Sequence, residues 1–321
     1  MVTISDGAGG LEMGALIDNM RRILKVKGDF SGVLDDGAYV KIGDKFVVFT
    51  TDSFTVEPVF FPGGDIGKLA VCGTINDLCV MGARPIGLSL ALVIEEGFSD
   101  DKLWKILESV NKVCEKVNVP VVTGDTKVLS KGDVRGVLIN VSGVGIADEV
   151  IANSGLEAGD KIVVSGSVGD HGAAILSSRF GYESSLVSDC APVFEIVDAC
   201  RGHIKACKDP TRGGLSACLN ELALKSKVRI VVDDDKVPVK REVRAICDIL
   251  GVDVFEIACE GRIVFGVRGS DADEVLGILR EFDCDACVIG DVVCGENVVL
   301  RTAVGEKIMN MPRGENVVRI C

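Results

Sequence analysis

Ile66-Gly67-Lys68-Leu69-Ala70-Val71-Cys72-Gly73-Thr74-Ile75-Asn76-Asp77-Leu78-Cys79-Val80-Met81 is the stretch on which the reading of this chain turns. It is apolar or small almost throughout, it ends at Gly82, and Pro85 stands just beyond. That pattern predicts a buried helix over 66–81 with a glycine stop. Within it lies Asp77, and a carboxylate enclosed without partners is costly. A buried acid on an apolar helix therefore points to a cation or another partner held against the helix.

Working outward, residues 38–42 and 46–50 flank Gly43-Asp44-Lys45, a hairpin signal. Residues 85–94 read as a strand. Leu103, Ile106, Leu107, Val110, Val113, Cys114 and Val117 then fall at helical spacing after a Ser99-Asp100 start. Strands are expected over 119–123 and 134–146. Between 147 and 159 the pattern loosens, which puts a domain boundary there. The second half mixes strands (161–165, 228–232, 263–267) with helices (215–224, 239–250, 272–282). Beyond about Gly305 the chain turns polar, with Gly, Pro and Asn, as a tail would. The expected division is 1–153, 154–306 and a C-terminal tail over 307–321.

Asp77 has company. Asp35-Asp36-Gly37-Ala38 enters the first strand, Thr50-Thr51-Asp52-Ser53 closes the second, and Thr123-Gly124-Asp125-Thr126-Lys127 ends a later one. Carboxylates at strand ends beside Gly and Thr suit a hard cation with oxygen ligands, and magnesium commonly shares the phosphates of a nucleotide. One Asp-Gly is an ordinary turn; four such segments in one half-chain are more specific. The second half adds Gly169-Asp170-His171-Gly172, Ala258-Cys259-Glu260-Gly261-Arg262, and Lys208-Asp209-Pro210-Thr211-Arg212-Gly213-Gly214, which precedes a helix. A helix N-terminus there could hold an anion. Capping and turn geometry account for each of these equally well. Gly7-Ala8-Gly9-Gly10 is either a flexible arm or a phosphate-covering loop.

Two nucleotide signatures fail. In Gly63-Gly64-Asp65-Ile66-Gly67-Lys68-Leu69, Pro62 stands where the first glycine of a phosphate loop belongs and Leu69 where Ser or Thr belongs. After Gly143-Val144-Gly145, Asp148 replaces the third glycine of a dinucleotide fingerprint.

Composition narrows the class. The 321 residues are 47% hydrophobic, enough for two packed domains. Only 5% are aromatic, so the core rests on Val, Ile, Leu and Ala. A net charge of -13 argues against nucleic acid or an anionic membrane as partner. No signal peptide or membrane span is read, and 13 cysteines scattered through apolar segments fit reduced thiols and a cytoplasmic setting. Cys284-Asp285-Ala286-Cys287 alone is weak support for zinc, with only His171 and His203 in the chain. The chain closes on Arg319-Ile320-Cys321, a terminal thiol on a tail, and thiolate is a strong nucleophile near neutral pH.

Taken together, these segments resemble the HypE family of hydrogenase-maturation carbamoyl dehydratases, within the aminoimidazole-ribonucleotide-synthetase-like (PurM-like) ATP-binding superfamily. The resemblance runs over nearly the whole chain, from Gly7-Ala8-Gly9-Gly10 to Arg319-Ile320-Cys321. The internal motifs point to the superfamily and the terminal cysteine to the member. It implies a two-domain fold of mixed class, α/β and α+β. An N-terminal α/β domain would form a sheet that spans a homodimer, and a C-terminal α+β domain would close the ATP cleft.

The implied reaction starts from a carbamoyl group placed on Cys321 by a HypF-type carbamoyltransferase. ATP phosphorylates the carbamoyl oxygen, loss of phosphate leaves a thiocyanate, and the cyano group passes to iron on a HypC–HypD complex. Implied nucleotide contacts are Gly9, Gly10, Asp36, Asp52, Asn76, Asp77, Gly124, Asp125, Thr126, Asp209, Thr211, Arg212 and Gly213. Asp35, Asp36, Asp52, Asp77 and Asp125 are placed on Mg2+. Glu260 is placed as the base, and Lys127 against the carbamoyl oxygen or phosphate. Two positions depart from the family pattern: Val318 stands where proline is usual, and Asp6 where histidine is commoner. A thiamine-monophosphate kinase or selenophosphate synthetase would share the acidic motifs without needing Cys321. A non-catalytic adaptor would need the thiol but no ATP.

Overall fold

Two sheets organise the chain, and a computed structural model describes them over residues 1–24, 28–32 and 34–314. A short 3-10 turn, Ile4–Gly7, leads into α1 (Gly10–Ile23). There follow β1 (Ala38–Ile42), β2 (Lys45–Phe54), the small pair β3 (Phe60–Phe61) and β4 (Gly64–Asp65), and α2 (Ile66–Val80). The first half closes with β5 (Arg84–Glu95), α3 (Asp100–Val117), β6 (Val121–Leu129) and β7 (Val137–Ala147). Its five-stranded sheet has the order β1-β2-β7-β5-β6. Neighbours run antiparallel except β5 and β6, whose parallel pairing is made possible by the α3 crossover. The β1–β2 hairpin turns on Gly43 and Asp44, with Gly43 at φ +61 supplying the left-handed residue.

The second half contains β8 (Lys161–Val164), α4 (Asp170–Phe180), α5 (Phe194–Cys200), β9 (Ile204–Lys208), α6 (Gly214–Ser226) and β10 (Arg229–Asp233). It continues through α7 (Arg241–Leu250), β11 (Val264–Val267), α8 (Ala272–Arg280), β12 (Cys287–Val293), β13 (Val298–Thr302) and β14 (Gly305–Met309). The seven-stranded sheet has the order β14-β13-β10-β12-β8-β11-β9. Two expectations change here. Residues 307–309 lie inside β14, which pairs with β13 from Val298↔Met309 to Thr302↔Gly305, so the segment that leaves the sheet starts after Met309 rather than at 307. Thr123–Lys127 does not end a strand: β6 continues to Leu129.

The helix α2 explains its own composition. Apart from Lys68 and Asp77 every residue is buried, because one side packs on β2 and β7 while another meets α3, α5 and β9. A helix covered on every side must be apolar on every side. Burying Ile66, Leu69, Ile75 and Leu78 completely contributes about 1.5–3 kcal/mol each. Contact with β7 is close enough to require Gly143, where a Cβ would fall 2.8 Å from Leu78 Cδ1 and 3.0 Å from Thr74 Cγ2. The failed phosphate-loop signature also gains a physical reason. Asp65 caps α2, its Oδ1 accepting from the N–H of Gly67 at 2.8 Å and of Lys68 at 3.1 Å, so the chain's own carboxylate occupies the amides an anion would need.

Candidate functional site

Three carboxylates from three separate segments meet where α2 faces the second half. Asp36 precedes β1, Asp77 rides on α2, and Asp209 follows β9, with one oxygen of each within 4.8 Å of the others. Thr50 Oγ1 donates to Asp77 Oδ2 at 2.9 Å, and Asn153 Nδ2 donates to Asp36 Oδ2 at 3.2 Å. Asp209 is buried, and its Oδ2 has no hydrogen-bond partner among the described residues. Burial, then the charges of Asp52, Asp209 and Asp36, push the Asp77 carboxyl well above its usual range. Burial and then Asp36 push Asp209 up to about 7. Among the described residues, Lys208 is the cation set directly against the cluster, paired with Asp36 and, at 3.3 Å, with Glu221. Burial opposes its charge, but Asp36, Glu221 and Asp209 hold the ammonium protonated, well above its ordinary range. Crowded, partly protonated carboxylates with an orphaned oxygen make a donor set suited to a hard divalent cation.

The sequence-predicted metal ligands divide at this point. Asp36 and Asp77 converge. Asp52, on β2, lies beside Asp77 and faces Arg212 Nη2 at 3.7 Å. Asp35 turns instead to Lys225 Nζ at 2.7 Å, an ion pair between the two halves. Asp125 stands on the exposed edge strand β6, 3.6 Å from Lys127 Nζ, with both side chains about two-thirds exposed. Neither Asp35 nor Asp125 joins the cluster among the described residues, whereas Asp209, expected only as a nucleotide contact, does. The Asp-Pro dipeptide before the α6 turn was its only signal, and convergence with Asp36 across the two halves is not written in local sequence. Gly124 and Thr126 share the edge with Asp125, along an open groove of about 510 Å³ lined by Leu90, Leu92 and residues 121–126.

Glu260 is buried at 3% exposure, and its backbone N–H donates to Asp189 Oδ1 at 3.2 Å. Its carboxylate approaches α2: a Cβ on Gly73 would sit 3.8 Å from Glu260 Oε2. Gly73 and Asp77 are one helical turn apart on the same face, so Glu260 and the cluster are separated along the axis by roughly 6 Å. Asn76, expected as a nucleotide contact, is engaged otherwise. Its amide hydrogen-bonds to the backbone at 191, 193 and 260, which removes it from the ligand-facing side.

Thr211, Arg212 and Gly213 form the turn before α6, with Gly213 at φ +77 as its N-cap. The N-terminal glycines pack here. A Cβ on Gly9 would fall 3.1 Å from Arg212 Cβ, and one on Gly10 only 2.0 Å from the Pro312 carbonyl oxygen. Leu11 N–H donates to Pro312 O at 3.1 Å, and Gly314 N–H donates to Glu12 Oε2 at 2.7 Å. Asn220 Nδ2 donates to Met309 O at 2.9 Å and Ser216 Oγ to Asn310 O at 2.9 Å. The segment leaving β14 is thus held between α6 and the start of α1. Cys321, Arg319, Ile320 and Val318 lie outside the described residues.

His171, in the first turn of α4, is fully buried, with Nδ1 and Ser188 Oγ 2.8 Å apart and the Phe61 ring edge-on at 5.5 Å. Burial lowers its pKa to about 3, which keeps the imidazole neutral. Its neighbour Asp170 is buried and ion-pairs with the half-exposed Lys240 at 2.7 Å and with Arg262 at 3.6 Å.

Both halves match families described as AIR synthase related protein, the N-terminal domain over residues 34–147 and the C-terminal domain over 157–302. A carbamoyl dehydratase HypE of Rhodobacter capsulatus is 40% identical over 100% of this chain and 98% of its own length. The chain belongs to the HypE family. Solved HypE structures agree in fold. One in a HypE–HypF complex superposes with TM-score 0.86 at 37% identity, over 93% of this chain and 100% of that one. Another HypE, in complex with ATP, gives TM-score 0.82 at 36% identity, over 100% of both chains. The fold is therefore the two-domain PurM-like fold of HypE, with mixed helix and strand content in each half. No helix among the described residues is long and apolar enough to cross a membrane.

Proposed function

We propose that this chain dehydrates an S-carbamoyl group on its own Cys321 to a thiocyanate at the expense of ATP, as a step in building the cyanide ligands of [NiFe]-hydrogenase iron. The observation that carries this reading is the carboxylate cluster of Asp36, Asp77 and Asp209, set on the same face of α2 as the buried Glu260. The family's carbamoyl dehydratases, and the HypE structures with ATP and with HypF, support it.

The carbamoyl oxygen attacks the γ-phosphorus and ADP leaves, turning a poor leaving group into phosphate. The nitrogen then loses its protons, the C–O bond breaks, and phosphate departs as the C≡N bond forms. Glu260 accepts one proton from the nitrogen, and the other leaves with the departing phosphate. Asp36, Asp77 and Asp209, with Asp52 beside them, would hold Mg2+, which supplies charge neutralisation for the transferring phosphoryl group. Arg212 and the backbone amides of 212–213 meet phosphate at the N-terminus of α6. Lys127 stands on the exposed β6 edge apart from the cluster of its own chain, so its proposed role of stabilising negative charge on the carbamoyl oxygen or phosphate belongs to the site it reaches across the dimer. A HypF-type carbamoyltransferase loads the thiol, and a HypC–HypD scaffold receives the cyano group.

The protein acts as a homodimer in this reading. β6 is a free sheet edge with Val122 and Val128 about two-thirds exposed, and pairing with a second copy covers it.

The test is the intact mass of the protein after incubation with a HypF-type transferase, carbamoyl phosphate and Mg-ATP, beside Cys321→Ala. Gain of one carbamoyl group followed by ATP-dependent loss of one water, absent in the control, is the expected result. Failure of an active transferase to modify Cys321 would overturn the reading. Lys127→Ala and Glu260→Ala should accept the carbamoyl group and fail to dehydrate it.

A further inference from the structure

One buried polar side chain on α2 has no part in the chemistry above. Asn76 is 1% exposed, and its Nδ2 donates to the carbonyl oxygens of Ala191 at 3.0 Å and Glu260 at 3.1 Å. Its Oδ1 accepts from the N–H of Val193 at 2.9 Å. Both amide protons are therefore used, and all three partners are backbone groups of the other half of the molecule. The Glu260 peptide is fixed on its other side as well, where Asp189 Oδ1 accepts its N–H at 3.2 Å. The turn that follows admits only a minimal residue, since a Cβ on Gly261 would fall 2.0 Å from the Asp189 carbonyl oxygen. Next to Asn76 in sequence is Asp77 of the carboxylate cluster, and Gly73, one turn before Asp77, faces the Glu260 carboxylate.

We infer that Asn76 is a positioning residue, holding the Glu260 carboxylate in register with the Asp36–Asp77–Asp209 cluster by tying the base's own backbone to the helix that carries Asp77. The inference rests on the reading of Glu260 as the base. The physical reason is distance sensitivity: Glu260 and Asp77 approach the same substrate from different halves of the chain, and a misplacement of about 1 Å can cost roughly 100-fold in rate. A side chain that bonds three backbone groups at once gives that register without contacting the reactants.

The experiment follows the single-turnover dehydration of the full-length carbamoylated protein in a double-mutant cycle of Asn76→Ala and Glu260→Gln. Asn76→Ala alone should slow dehydration about 100-fold while the KM for ATP stays within about threefold. The acid limb of its pH–rate profile should move, because the environment of the carboxylate has loosened. Against Glu260→Gln, Asn76→Ala should change the rate less than about twofold, since residues acting as a unit are strongly non-additive. An Asn76→Ala rate at wild-type level, or an equal loss on both backgrounds, overturns the inference while leaving the base assignment standing. A wild-type rate for Glu260→Gln removes the base assignment and this inference with it. Asn76→Asp keeps the acceptor for Val193 and loses both donors, so it should reproduce the slow dehydration in a near-isosteric protein. If both Asn76 variants fail to fold, the residue serves the fold alone and the inference is overturned.

Discussion

At the residue scale, the carboxylate cluster sets stability against function. Asp77 is held by burial and by neighbouring acids in a state that water would not choose, with its carboxyl raised well above the ordinary range. Asp77→Asn keeps an acceptor for Thr50 Oγ1 and removes a carboxyl that, once folded and metal-free, must either add charge to the crowd or take up a proton. The metal-free protein should therefore melt higher, by about 2–4 °C for each kcal/mol of repulsion relieved. ATP turnover should fall about 100-fold or more, because charge stabilisation worth several kcal/mol goes with the ligand. Thermal melts in chelator beside ATPase rates check both halves, and a lower melting point would contradict the account of the cluster. His171 gives a pH signature of its own. Its folded pKa of about 3 lies below the ordinary 6.5, so between those values the unfolded chain binds the extra proton. Stability from this group is complete above 6.5 and is lost as pH falls toward 3. Urea unfolding of wild type against His171→Gln should show wild type losing up to roughly 1.4 kcal/mol per pH unit more than the variant across that window, and no divergence above it.

At the scale of elements, the molecule depends on close approaches that glycine permits. Gly10, at φ +76, begins α1 directly beneath the Pro312 carbonyl. A methyl group there cannot be accommodated without moving 310–314, so Gly10→Ala should speed proteolysis of that segment several-fold, while the β13–β14 hairpin stays protected. Digestion followed by mass spectrometry reads both. The same segments show what sequence discloses and what it hides. The helix α2 was plain because an uninterrupted apolar run of that length bounded by Gly82 has few other readings. The strand β14 reads as tail because Gly305-Glu306-Lys307-Ile308 is an exposed edge, buried only at Met309, and edge strands lack a hydrophobic face to advertise them. β9, with lysines at 205 and 208, and β12 are hidden for a related reason: their pairing partners are distant in sequence. Asp36 and Asp77 were legible as acids out of place, whereas the role of Asp209 depends on a meeting of halves that no local pattern encodes.

At the scale of the whole molecule, β6 is an exposed edge of the first sheet, every residue of it open to solvent. Val122→Asp with Val128→Asp should give a monomer by light scattering if a second copy covers this edge; a variant that keeps its mass would argue for another interface. The joining of the chain's two ends carries a further consequence. Pro312 and Gly314 are fixed to α1, and from there seven residues, 315–321, remain to Cys321. A fully extended chain spans at most about 3.6 Å per residue, so seven residues can carry Cys321 no farther than roughly 25 Å from that anchor. Freeing the root back to Met309 would lengthen that tether to about 43 Å. For the proposed reaction, the first helix thereby sets the radius within which a carbamoyl donor or cyano acceptor must present its reacting atom to Cys321.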